Sequence, residues 1–129
     1  MPNETYAKEW LRFAERNLET AILLYEANHY SDIIGVELQQ TLEKSFKAIF
    51  AYRNMKIPRD HDLVKLYYLI EEFIAIDTDD VLLLRMATNY YKDERYPNPN
   101  YTLPPKDEIL EVLKFTQNTF HEICRLLKV

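Results

Sequence analysis

The feature that most constrains this chain is its scarcity of glycine, since 129 residues contain a single one. Sheet proteins use glycine repeatedly in tight hairpin turns, so the single glycine argues strongly against a sheet-rich fold. A Gly-rich loop that cradles phosphates, as in P-loop or Rossmann proteins, is excluded for the same reason. Hydrophobic residues make up 47% and charged residues 29%, which is typical of a globular chain. The sequence therefore predicts a globular all-α protein.

Apolar residues recur with the helical period along most of the chain. The pattern predicts one domain over residues 1–129, an antiparallel bundle of four main helices plus a short fifth helix. The first helix is expected to begin after Pro2, with Asn3 as its N-cap. The second is expected to begin near Ser31 or Asp32, either of which can cap it, and to continue to about Asn54.

The second half of the chain predicts shorter elements and one long loop. Asp60 or Asp62 is expected to open a third helix. The acidic run that starts at Asp77 predicts a fourth, shorter helix through about Thr88. Residues 89–105 hold several prolines and tyrosines and predict a long irregular loop before the last helix.

The charge balance and the absence of metal motifs exclude several function classes. The net charge of −5 argues against a general nucleic-acid surface, so no DNA partner is expected. The histidines at positions 29, 61 and 121 share no metal-ligand spacing, so neither a metal site nor a cofactor is expected. No segment resembles a signal peptide or a membrane span, so a cytoplasmic location without membrane contact is expected.

The second predicted helix carries a polar stripe formed by Glu37, Gln40, Lys44 and Lys47. Two lysines about one turn apart can hold an anion, which makes Gln40, Lys44 and Lys47 candidate ligand-binding residues. The alternative is a solvated helix face, which such a stripe usually marks.

Two further positions are candidates for chemistry. His61 stands between Asp60 and Asp62, where it can act as a general base or simply belong to a helix cap. In the predicted loop, Arg95 offers a fork to a phosphate and Tyr96 a stacking face to a base. The alternative is that the tyrosines pin the loop to the bundle.

Three segments carry motifs whose order and spacing are informative, namely Gln39-Gln40-x-x-Glu43-Lys44-x-x-Lys47-Ala48, His61-Asp62-Leu63-x-x-Leu66 and Arg95-Tyr96-Pro97. Together they resemble the HEPN domain family, which is named for nucleotide binding in prokaryotes and higher eukaryotes. The resemblance covers nearly the whole chain, from about Tyr6 to the last helix.

The resemblance implies a homodimer, often encoded beside a minimal nucleotidyltransferase as a toxin–antitoxin pair. Many members of the family are ribonucleases with an arginine four to six residues before a histidine. This chain departs from that pattern, because Arg53 precedes His61 by eight residues and Arg59 precedes it by two. The usual spacing of the two side chains on one helix is therefore absent.

Three functions are compatible with these residues. The first is a dimeric module that binds a nucleotide, a partner nucleotidyltransferase or both, without catalysis. The second is a metal-independent endoribonuclease, with RNA as its substrate and with His61 and Arg95 in the active site. The third is a protein-interaction bundle that docks a partner through its tyrosine loop. The ligand contacts expected for the first are Gln40, Lys44, Lys47, His61, Arg95 and Tyr96.

Overall fold

A computed structural model describes residues 3–96 and 98–128, and all its regular structure is helical. Throughout those two ranges there is no β-strand, which confirms the all-α prediction. No helix in them is long and apolar enough to cross a membrane. The five helices are α1 (Glu4–Glu26), α2 (Ser31–Tyr52), α3 (Leu63–Ile70), α4 (Thr78–Arg95) and α5 (Lys106–Leu127).

Helix α1 begins where its cap was predicted. The Asn3 side-chain oxygen accepts a hydrogen bond from the Tyr6 amide at 3.1 Å, which satisfies a donor left free by the first turn. Pro2, the other residue of that prediction, lies outside the described residues. Phe13 lies outside the buried face of this helix, since 45% of it is exposed. The core-facing row consists of small and branched side chains at Ala7, Leu11, Ala14, Leu18 and Ala21.

Helix α2 is the centre of the bundle and contacts each of the other four helices. Side chains such as Leu38, Leu42 and Phe46 are fully buried. The prediction that Ser31 or Asp32 caps this helix was wrong, because Tyr30 occupies the N-cap position and makes no side-chain cap bond. The Ser31 hydroxyl instead donates to the Pro104 carbonyl at 2.6 Å, which ties the start of α2 to the loop before α5.

The single glycine lies at a close contact between helices. Gly35 is buried on α2, and a Cβ atom at this position would lie 2.7 Å from the Tyr90 ring of α4. That distance is too short for a real Cβ contact, so only glycine allows α2 and α4 to approach this closely. Burial and a hydrogen bond to Glu108 both raise the pKa of Tyr90, which keeps its hydroxyl protonated as a donor.

The lengths of the third and fourth helices differ from the prediction. The short helix is α3, with 8 residues, whereas α4 has 18 and continues to Arg95. Asp62 caps α3, as predicted, by accepting from the Val64 amide at 3.0 Å. The prediction that α4 ends near Thr88 was wrong, because burial of Tyr90 against Gly35 favours continuation of the helix, which extends about two turns further. Among the described residues, the irregular stretch before α5 therefore consists of residue 96 and residues 98–105.

Candidate functional site

A buried carboxylate on α2 accepts from three side chains. One oxygen of Glu43, Oε1, accepts from Gln39 Nε2 at 2.9 Å and lies 2.8 Å from His61 Nδ1. The other, Oε2, lies 2.9 Å from Lys47 Nζ. The Glu43 and Lys47 side chains are only 7% and 8% exposed. Gln39, Glu43, Lys47 and His61 are called the Glu43 cluster below.

The Glu43 carboxyl group stays ionised despite its burial. Burial by itself raises the pKa of Glu43, but hydrogen bonds from Lys47, Gln39 and His61 lower it by more, so the pKa lies below its ordinary value. The carboxylate and the Lys47 ammonium form a charge pair that is nearly sealed from solvent. Neither charge of this pair is free to attract a ligand.

Gln39 fixes the histidine from a second direction. It is completely buried, and its Nε2 donates to the His61 carbonyl at 3.0 Å as well as to Glu43. Its Oε1 accepts from Gln40 Nε2 at 2.7 Å, so both ends of the amide are paired. Because the segment between α2 and α3 has no helix or strand of its own, these bonds hold the backbone that carries His61.

The contact with Glu43 determines which nitrogen of His61 is available. An ionised carboxylate only accepts hydrogen bonds, so Nδ1 must carry the proton that lies between them. In the neutral ring Nε2 is then an acceptor, and 53% of the His61 side chain is exposed. The arrangement presents a histidine of fixed tautomer to solvent.

Tyr91 and Arg95 complete the exposed part of the site. The rings of Tyr91 and His61 have centroids 4.9 Å apart, at an interplanar angle of 38°. Arg95, one turn further along α4, donates to the Tyr91 hydroxyl and has its Cζ 5.3 Å from the Tyr91 ring. Arg95 is therefore joined to His61 through Tyr91, although the two lie far apart in sequence. His61, Tyr91 and Arg95 are called the His61 surface below.

The other predicted site residues have different surroundings. Lys44 donates to Asn17 Oδ1 of α1 at 2.7 Å, and Asn17 in turn donates to Glu37. Tyr96 lies beyond the end of α4 and is 73% exposed. A solvated helix face does not describe the stripe, because Lys47 is buried and Lys44 is half-buried.

The structure thus joins four of the six predicted ligand-binding residues into one network of contacts. Gln40, Lys47 and His61 are joined through Gln39 and Glu43, and Arg95 is joined to His61 through Tyr91. Lys44 makes a separate contact with α1. Pro97, which belongs to the Arg95-Tyr96-Pro97 motif, lies outside the described residues.

Sequence reasoning gave no site role to Gln39, Glu43 or Tyr91. The first two carried a signal, since positions 39, 43 and 47 form an i, i+4, i+8 polar row on one side of the helix. Tyr91 was missed because it was assigned to the loop, where its position four residues before Arg95 has no geometric meaning.

The cluster also reaches α1, and it has no features of a metal centre. Lys47 Nζ lies 5.9 Å from the ring of Trp10, within reach of a cation–π contact. No group of three or more His, Cys, Asp or Glu side chains in residues 3–96 and 98–128 is arranged to hold a metal ion.

The similarity to a known protein family extends over nearly the whole chain. The family model described as HEPN domain matches residues 7–127. The chain belongs to the HEPN domain family. The resemblance inferred from the motifs of α2, of the segment before α3 and of the end of α4 is therefore confirmed.

Three known proteins are similar to this HEPN domain. "Putative toxin MJ1304" from Methanocaldococcus jannaschii is 30% identical over 144 aligned residues, covering 98% of this chain and 91% of the relative. TT1696 from Thermus thermophilus has a crystal structure with a TM-score of 0.75 and 21% identity, over 93% of this chain and 97% of that one. ST0689, an archaeal HEPN homologue, gives a TM-score of 0.71 and 19% identity, over 94% and 97% of the two chains. The two crystal structures support the fold alone.

Proposed function

We propose that this HEPN domain is a toxin–antitoxin-type module that binds the phosphate of a nucleotide on the His61 surface, without catalysis. The observation that carries this proposal is the Arg95–Tyr91–His61 contact, which gathers a guanidinium, a hydroxyl and an imidazole on one patch, with His61 and Arg95 exposed and Tyr91 half-buried. All three are groups that bind phosphate oxygens. The toxin–antitoxin assignment is supported by the family and by the name of MJ1304.

The charge balance beneath the patch supports anion binding. Glu43 is the carboxylate nearest His61, and Lys47 neutralises it at 2.9 Å. The charge of Glu43 is therefore already paired and opposes an anion at His61 less than a free carboxylate would. Tyr96, just beyond Arg95 and largely exposed, is available to stack on a base.

Thermal unfolding in the presence of ATP tests this proposal. A ligand at about 100 times its Kd stabilises the native state by roughly 2.7 kcal/mol, which raises the melting temperature measurably. We expect a saturable rise that is lost in R95A and retained in R85A. Arg85 is an exposed arginine on the same helix that lies outside the His61 surface. The absence of any shift at millimolar ATP would contradict nucleotide binding.

A second candidate function is metal-independent endoribonuclease activity. The observation that favours it is the fixed tautomer of His61, since a free Nε2 acceptor is what a general base requires. Arg95 would stabilise the charge of the phosphate. Cleavage of RNA in the presence of EDTA, lost in both H61A and R95A, would support this function. RNA that stays intact during long incubation at high protein concentration would exclude it.

We also propose the two assemblies that the family resemblance implies, a homodimer and a complex with a minimal nucleotidyltransferase. The exposed aromatic side chains of Tyr6 and Phe13, on either side of Trp10 on α1, support a self-contact. Sedimentation of the wild-type chain and of F13E distinguishes a dimer from a monomer. Co-purification with a nucleotidyltransferase encoded beside the gene tests the second assembly. The cytoplasmic location stays a prediction.

A further inference from the structure

A groove with a volume of about 460 Å³ lies at the other end of α4 from Arg95. It is lined by the turn after α3, the first turns of α4 and one face of α5. The lining residues of α5 extend from Glu111 to Glu122, roughly 16 Å along the helix axis. The groove and the His61 surface are separate, because Asp80 and Tyr91 also lie roughly 16 Å apart along α4.

The floor of the groove is apolar. Ile74 and Leu83 are 4% and 6% exposed, and the ring of Phe115 beside them is partly exposed. These side chains come from three different elements, namely the turn after α3, α4 and α5. An apolar side chain of a partner would be buried from water by contact with this floor.

The rim of the groove is acidic. Four carboxylates line it, those of Asp77, Asp80, Glu111 and Glu122, and no Lys, Arg or His is among its lining residues. Within the described part of the chain, only Glu122 of these four forms an ion pair, with Arg125 on the outer side of α5. The groove is therefore lined by four of the chain's 21 acidic side chains.

We propose that the groove binds a positively charged amphipathic helix of a partner protein. A helix of about three turns matches the length of the α5 face, with its apolar side on Leu83 and Phe115 and its Lys or Arg side chains at the rim. Phosphate-bearing ligands are disfavoured because they would face four carboxylates. The inference goes beyond nucleotide binding and does not depend on it, since the two surfaces lie at opposite ends of α4.

The test uses the full ¹⁵N-labelled chain and three synthetic peptides of about 14 residues. The probe peptide is an amphipathic helix with leucines at helical spacing and lysines elsewhere. In the first control every lysine is replaced by glutamate, and the second has the probe's composition in scrambled order. We expect the probe peptide, but neither control peptide, to cause saturable shifts of amide resonances in residues 74–83 and 111–122. The resonances of His61 and Tyr91 should stay unchanged.

Two triple variants, each of which loses three negative charges, test the role of the acidic rim. D77N/D80N/E111Q removes three carboxylates from the groove, whereas E19Q/E26Q/E72Q removes three exposed ones from outside it. We expect the first variant to bind the probe about tenfold more weakly than the wild type, and the second to bind it nearly unchanged.

Several results would overturn the proposal. Equal weakening in both variants, or equal binding of the scrambled peptide, would mean attraction by overall charge only. No saturable binding of the probe would also overturn it. If the wild-type chain self-associates in sedimentation and D77N/D80N/E111Q does not, the groove is a contact between copies of this chain rather than a site for a basic helix. A failure of ATP binding would leave the proposal unaffected.

Discussion

The Nδ1 atom of His61 lies 2.8 Å from the Oε1 atom of Glu43, a carboxylate that is buried on the central helix of the bundle. This contact joins an exposed ring to the interior. It orients the ring and fixes the nitrogen that bears the proton. Since Glu43 also accepts from Lys47 and Gln39 of the same helix, the orientation of His61 depends on the side chains that position this carboxylate.

Replacement of Glu43 by Gln is expected to destabilise the fold. The amide cannot balance the Lys47 charge, whose side chain is only 8% exposed, and removing one partner of a buried ion pair costs roughly 3–5 kcal/mol. Urea unfolding of wild-type and E43Q protein measures the difference. A loss below about 1 kcal/mol would mean that solvent reaches Lys47 and compensates its charge.

The double variant E43Q/K47M identifies the cause of that loss. With both charges removed, no buried cation is left unpaired, so we expect the double variant to be more stable than E43Q. We expect K47M alone to cost less than E43Q, because Glu43 keeps the donors Gln39 and His61. If the double variant loses as much unfolding free energy as E43Q and K47M lose together, the two side chains are not coupled.

The pH dependence of stability follows from the lowered pKa of Glu43 in the folded state. An unfolded glutamate has a pKa of about 4.3, so below that value the unfolded state binds more protons than the folded state. The contribution of Glu43 is therefore fully present above about pH 4.3 and is lost as pH falls through the folded pKa. We expect the difference in unfolding free energy between wild type and E43Q to be constant near neutral pH and to narrow in acid. Urea titrations from neutral pH down to about pH 3 measure it.

The sequence was sufficient to predict the helical bundle and its central helix. Periodicity and capping residues such as Asn3 and Asp62 are local signals, and both caps form as predicted. The length of α4 was not predictable in this way, because the extra turns depend on the packing of Tyr90 against Gly35 of another helix. Local sequence does not record a contact between residues so far apart.

The candidate site was predicted only in part, because it too depends on contacts between residues that lie far apart in sequence. His61 and Arg95 were recognised by their chemistry, but the contact between them runs through Tyr91, which has a geometric role only if α4 extends to Arg95. Lys47 was interpreted as an exposed anion contact because the stripe on α2 has the spacing of a surface stripe. That interpretation fails because α2 is surrounded by other helices, and a polar row on a central helix is buried.

Substitution of Gly35 by alanine tests the close approach of α2 and α4. The new Cβ would lie 2.7 Å from ring atoms near the base of the Tyr90 side chain, which cannot swing away as a flexible end could. Overpacking costs about 1–3 kcal/mol and outweighs the helix propensity that alanine gains, at most about 1 kcal/mol. Denaturant unfolding should show G35A to be less stable than the wild type. In a Y90A background the same change should become neutral or stabilising, and an equal loss in both backgrounds would contradict the contact.

Tyr91 offers the sharpest test of the His61 surface, because two substitutions separate its two contacts. Y91F keeps the ring beside His61, at a centroid distance of 4.9 Å, but removes the hydroxyl that accepts from Arg95. Y91A removes both. If the surface binds phosphate with Arg95 held in place by that hydroxyl, Y91F should weaken ATP binding about three- to tenfold, and Y91A more strongly. Isothermal titration of the three proteins with ATP measures this order.

Exposed Tyr68 on α3 provides the matched control, since Y68F should bind ATP as the wild type does. Equal affinities for wild type, Y91F and Y91A would mean that the contact between Arg95 and His61 has no part in binding.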